Sequence, residues 1–83
     1  MTQTVLVLGA TGGTGQAIVH ELLMRDVKVR VFGRNRQRLE SLWPNVETVM
    51  GDIFNLADLI RAMQAVDVVI QCAAIPYSQT AIK

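Results

Sequence analysis

Thr4-Val5-Leu6-Val7-Leu8-Gly9-Ala10-Thr11-Gly12-Gly13-Thr14-Gly15 is the stretch whose reading decides the fold. An unbroken β-branched and leucine run, typical of a central strand covered on both faces, stops at Gly9. A loop with glycines at its first, fourth and seventh positions follows, and from Thr14 to Arg25 the chain reads as helix. Ile18 and Leu22, and again Val19 and Leu23, stand one helical turn apart there.

Outward from this unit the same alternation continues. Val27 to Phe32 alternates apolar and basic residues, which predicts a strand with one wetter face. Asn35 is placed to cap a short helix running to Leu42, ended by Trp43-Pro44-Asn45. Val46 to Met50 forms a third strand, punctuated by Gly51-Asp52. Leu56, Leu59, Ile60 and Met63 then make one amphipathic stripe at i, i+3, i+4 and i+7, with Asn55 and Asp58 as its cap pattern. Asp67 to Cys72 is a fourth strand, and Ala73-Ala74 and Pro76 follow it; from Ser78 the tail reads as the start of another helix.

The order β-α-β-α-β-α-β, with strands of the buried type, predicts an α/β fold with a doubly wound parallel sheet, right-handed crossovers and strand order 3-2-1-4. That is the phosphate-binding half of a Rossmann fold, one domain over residues 1–83. Strand four would end the sheet as an apolar, unprotected edge. Two expectations follow: self-association through that edge, or continuation of the sheet by further strands of a longer protein, the second being the stronger reading.

The glycines carry the chemistry. A pyrophosphate reaches a helix N-terminus only where the backbone turns sharply, no Cβ blocks the approach and the helix packs close to the sheet. Gly9 is assigned the turn, Gly12 the approach and Gly15 the close packing. First-turn N–H groups and the positive end of the helix dipole then meet the charge. Gly13 completes the loop, and Thr11 and Thr14 offer hydroxyls to it.

Charge selects among dinucleotides. The formal net charge is +1, yet five of the eight basic residues, Lys28, Arg30, Arg34, Arg36 and Arg38, fall together, and no acid occurs from Val27 to Leu39. An NAD site wants a carboxylate at the end of strand two for the ribose hydroxyls. Arg34 stands there instead, with Arg38 about one turn on, so the expected cofactor is NADP (NADPH), its 2′-phosphate held from two sides while Arg36 faces solvent. Lys28 and Arg30 read as an ordinary solvated face. Nucleic-acid binding is disfavoured because no aromatic platform accompanies the basic stretch. Cys72 has no disulfide partner and no zinc-ligand spacing, no metal site is expected, and a reducing, cytoplasmic setting fits. The Val5 to Leu8 run is too short for a signal-peptide core, and no stretch reaches membrane-spanning length.

Gly9-Ala10-Thr11-Gly12-Gly13-Thr14-Gly15 resembles the G-x-x-G-x-x-G loop of the short-chain dehydrogenase/reductase superfamily, in its extended and atypical branches, including NmrA-like and flavin/biliverdin-reductase-like NAD(P)H-binding proteins. The likeness runs from Thr4 to about Ala74. It includes Arg34 after strand two, Gly51-Asp52-Ile53 after strand three and Cys72-Ala73-Ala74 ending strand four. The resemblance implies that Asp52 meets the adenine amine, that Ile53 flanks the ring, and that Ala73 and Ala74 run beside the nicotinamide ribose.

The same resemblance implies an NADP-dependent reductase or dehydrogenase acting on a small-molecule substrate. A non-catalytic NADP-binding regulator or redox sensor and an extended-type sugar-nucleotide epimerase or dehydratase are the alternatives. The superfamily's Y-x-x-x-K pair is absent, because Ala81 stands four residues after Tyr77 and Lys83 six after. Catalytic residues are therefore unassigned, the 83-residue chain alone is expected to be inactive, and His20, within helix one, reads as a surface residue.

Overall fold

The structure, a computed structural model, describes residues 3–72. Strands β1 (Thr4–Leu8), β2 (Lys28–Gly33), β3 (Glu47–Met50) and β4 (Val68–Gln71) alternate with helices α1 (Gly13–Leu23), α2 (Arg36–Leu42) and α3 (Leu56–Ala62). All pairings are parallel and the order is β3-β2-β1-β4, as the sequence predicts. Strand and helix limits differ from the sequence reading by a residue or two, the scatter usual at element ends.

β1 is central, and its pleat feeds two cores. Val5 and Val7 join Val29 and Val31 of β2 under Val19 of α1 and Leu39 of α2, with Trp43 completing the cluster. Leu6 and Leu8 point the other way, with Phe32, toward Ala62 of α3. The two faces follow from chain order. The steps β1 to β2 and β2 to β3 run in one direction across the sheet, whereas β3 to β4 runs back past β1. A right-handed crossover therefore puts α3 on the opposite face from α1 and α2. The change of direction occurs beside the carboxyl end of β1, where Gly9 begins the glycine loop.

Local chemistry sets the helix ends. The Asn35 side chain accepts from the Arg38 N–H and the Asn55 side chain from the Asp58 N–H, each at 3.1 Å, so both predicted caps are present. At the start of β4, Asp67 fastens the strand to β1, its carboxylate accepting the Thr4 N–H at 2.8 Å while its own N–H donates to the Thr4 carbonyl.

Two expectations are corrected. Arg30 is not part of a solvated face: it is buried, with Nε donating to Glu47 at 2.9 Å and Nη1 to the carbonyls of Ala62 and Gln64 at 2.6 and 2.7 Å. It shares a face with Leu6 and Phe32, and the end of α3 covers that face, whereas Lys28 near the strand start stays exposed. The stripe on α3 is likewise not buried as a whole, and of its four residues only Leu59 packs against the core. α3 docks through Ala62 and Leu59, its Asp58 and Arg61 flank reaches toward β3, and Leu56, Ile60 and Met63 on the other flank are exposed.

Candidate functional site

The backbone leaves β1 through Gly9 at φ 88°, a left-handed conformation that an L side chain resists. Its carbonyl accepts the Gly12 N–H at 3.3 Å, closing the turn. Two side chains pin the loop from beneath: Trp43 Nε1 donates to the Ala10 carbonyl at 3.3 Å and Gln16 Nε2 to the Thr11 carbonyl at 2.8 Å. Neither residue stands out in the sequence as part of a site. The lone tryptophan was the available signal, because a buried indole N–H needs an acceptor.

The three glycines divide their roles by space. A Cβ on Gly15 would fall 2.0 Å from the Gly9 oxygen, so α1 lies against the strand end at a distance only glycine permits. A Cβ on Gly12 would find only the Gly9 oxygen at 3.8 Å, and one on Gly13 nothing within 4 Å. Space therefore opens in front of the loop at Gly12 and Gly13, and Thr14 is exposed beside it.

That space meets an uncapped helix. Gly12 is the N-cap of α1, no side chain accepts there, and the first turn holds no acid. The other two helices both carry an asparagine cap, so among the described residues α1 alone keeps its N-terminal donors for an external acceptor. The donor set suits a pyrophosphate, and the cradle is one that side chains would fill.

Beside the loop lies a cavity of about 120 Å³ between the carboxyl ends of β1, β2 and β3. Gly9 and Thr11 line it from the loop, Phe32, Gly33 and Arg34 from the end of β2, and Gly51 and Ile53 from the turn after β3. The structure thus brings together Gly9, Thr11, Arg34 and Ile53 of the sequence-derived set. Gly51 belongs to the Gly51-Asp52-Ile53 segment of the resemblance, whereas Phe32 and Gly33 are additional, legible only through the rule that ligands of such sheets sit beyond the strand carboxyl ends. Arg34 is exposed, and its side chain has no hydrogen-bond or ion-pair partner among the described residues.

Other expected residues stand elsewhere. Arg38 is exposed in the first turn of α2 and does not line the cavity, because Asn35 draws its backbone into the cap. Arg36 lies 3.6 Å from Glu40 and is exposed. Asp52 is not among the lining residues; its Oδ1 accepts the Phe54 N–H at 2.9 Å and shapes the turn. Ala73 and Ala74 lie outside the described residues. His20 is exposed, its ring 5.0 Å from that of Trp43 in an edge-on contact.

A wider cleft of about 510 Å³ runs along the outer edge of β3, between Arg30, Arg36 and Arg61. All three guanidinium groups already face protein acceptors, Arg30 on Glu47, Arg36 on Glu40 and Arg61 on Asp58 and the Met50 carbonyl. The smaller cavity, lined by Arg34 and lying beside the glycine loop, holds an arginine without such an acceptor among the described residues and is the candidate site. No described helix is long and apolar enough to cross a membrane.

Known proteins share the sequence pattern and the fold. The profile of the NAD(P)H-binding family matches residues 9–82. A UDP-glucose 4-epimerase of Rickettsia bellii is 29% identical over 83 residues, covering 88% of this chain and 24% of the epimerase. A 3-beta-hydroxysteroid dehydrogenase of Mycolicibacterium neoaurum is 39% identical over 71 residues, covering 86% and 19%. Among solved structures, a short-chain dehydrogenase/reductase superfamily protein from Agrobacterium tumefaciens with bound NAD superposes with a TM-score of 0.71 at 25% identity, over 94% of this chain and 23% of the other. The chain spans about a quarter of the length of the epimerase and about a fifth of that of the dehydrogenase. With the sheet order, the glycine loop and the matched profile in agreement, the chain belongs to the NAD(P)H-binding family of the short-chain dehydrogenase/reductase superfamily.

Proposed function

We propose that this chain is the cofactor domain of an NADP-dependent oxidoreductase, with a preference for NADPH over NADH. The carrying observation is Arg34, without a side-chain partner among the described residues, in the same cavity wall as Gly9, Thr11, Gly51 and Ile53, with no carboxylate among the described lining residues. In this reading the pyrophosphate sits against the N–H groups of Gly13, Thr14 and Gly15. The adenosine occupies the cavity between Arg34 and Ile53, and the Arg34 guanidinium takes the 2′-phosphate. Asp52 orders the turn that presents Ile53. When bound, the nicotinamide supplies or accepts a hydride. The residues of this chain hold and orient it, while the substrate and its catalytic groups belong to the whole protein.

The epimerase relatives support a second reading, a cofactor domain of a sugar-nucleotide epimerase. It is weaker because such a site wants a carboxylate at the end of β2, where this chain carries Arg34.

Arg34→Asp separates the two. A charge-assisted hydrogen bond nets about 1.5 to 3 kcal/mol, so Arg34 alone is expected to favour NADPH by roughly ten- to a hundredfold at low salt. The variant should lose that preference and retain or improve NADH binding. Equal wild-type affinities for the two cofactors would refute the NADP assignment.

A further inference from the structure

Gly51 is gripped from both sides by one helix. The carbonyl of Met50, just before it, accepts from Arg61 Nη2, and the N–H of Asp52, just after it, donates to Asp58 Oδ2 at 3.0 Å. Asp58 and Arg61 stand three apart on α3 and pair with each other at 3.4 Å. Beneath Gly51 there is no slack: a Cβ there would lie 2.8 Å from the Asp58 Cβ and 2.9 Å from the Phe32 ring. Phe32, Gly51 and Ile53 all line the cavity beside the glycine loop.

These contacts do little for α3 itself. Asn55 caps the helix, and Leu59 and Ala62 dock it. An ion pair this exposed adds about 0 to 1 kcal/mol to global stability. What the pair does hold is the short segment that forms one wall of the cavity. We propose that Asp58 and Arg61 are positioning residues, a brace that fixes the Gly51–Ile53 wall and thereby sets affinity for the adenosine half of a bound dinucleotide. The inference rests on the dinucleotide reading of the cavity. A ligand binds in proportion to the fraction of molecules whose wall is in place, so loosening the wall weakens the adenosine end and leaves the phosphate loop untouched.

The test is titration of the 83-residue chain and its variants with NADPH, 2′-phospho-ADP-ribose and inorganic pyrophosphate, with thermal unfolding followed alongside. Asp58→Ala is expected to weaken NADPH and 2′-phospho-ADP-ribose by about tenfold, as for loss of one charge-assisted hydrogen bond. Pyrophosphate affinity should be unchanged. Asp58→Asn, which keeps an oxygen for the Asp52 N–H, should restore most of the loss. Arg61→Ala, at an exposed position, provides a second variant with a smaller loss of the same kind. Wild-type affinity for 2′-phospho-ADP-ribose in both alanine variants would overturn the brace alone, as would a loss of pyrophosphate binding equal to that of the nucleotide. Failure of the wild-type chain to bind any of the three would overturn the dinucleotide reading and the brace with it.

Discussion

Replacing Gly15 by alanine puts one methyl group where the structure has least room. The new Cβ would lie 2.0 Å from the Gly9 oxygen, 2.8 Å from the Gly9 carbonyl carbon and 2.9 Å from the Ala10 Cα. All three are backbone atoms, so no side chain can rotate away. Real Cβ contacts stay beyond 3.0 Å, so α1 must retreat from the end of β1 by at least about 1 Å. A gap of that size forfeits a quarter to half of the dispersion energy of each contact it opens, and Val19 would lose its seat in the core. Overpacking a close contact costs about 1 to 3 kcal/mol, and the upper end applies where only backbone can yield. For a domain this small, about 3 kcal/mol lowers the melting temperature by roughly 12 to 24 °C. Gly13→Ala is the control. Its Cβ meets nothing within 4 Å, and alanine in a helix is favoured over glycine by about 0.5 to 1 kcal/mol, so stability should hold or rise. Circular dichroism melts of the two variants decide the matter. A Gly15→Ala protein melting with the wild type would refute the close-packing role assigned to Gly15.

Two further outcomes follow from the same geometry. Arg30→Met should destabilise the chain by about 2 to 3 kcal/mol in urea unfolding, because the carbonyls of Ala62 and Gln64 lose a buried donor, while NADPH affinity is preserved. Unchanged stability would show that Arg30 is dispensable. The edge at β4, unpaired among the described residues, where Val68 and Val69 are 40% and 41% exposed, is expected to make the 83-residue chain self-associate, and Val69→Lys should shift it toward monomer in light scattering. A monodisperse wild-type monomer would contradict this.

What was legible in the sequence is what local rules govern. The β1 run, the glycine spacing and the two asparagine caps each depend on a few neighbouring residues, and the strand order follows from connection handedness once four strands are recognised. Arg30 was not legible, because alternation says only that a residue shares a face with Lys28. Whether that face is wet depends on where the third crossover lays its helix. The α3 stripe misleads for the same reason: its spacing is helical, yet the helix turns Ala62 and Leu59 inward. The four-residue spacing of Arg34 and Arg38 does not bring them together, because the helix begins at Arg36 and the cap at Asn35 directs its first turn. Phe32 comes to the cavity from the end of β2 and Gly51 from the turn after β3, a juxtaposition no single segment encodes.

On the proposed function the dinucleotide binds in the cavity between the glycine loop, Arg34 and Ile53, and not in the wider cleft at the β3 edge. Backbone amide chemical shifts of the isotopically labelled chain, followed as NADPH is added, test it directly. Saturable shifts are predicted at Gly12, Gly13, Arg34 and Ile53, with Thr48 and Gln64 unmoved. Shifts confined to Thr48, Gln64 and their neighbours, or none at any concentration of a folded chain, would contradict it.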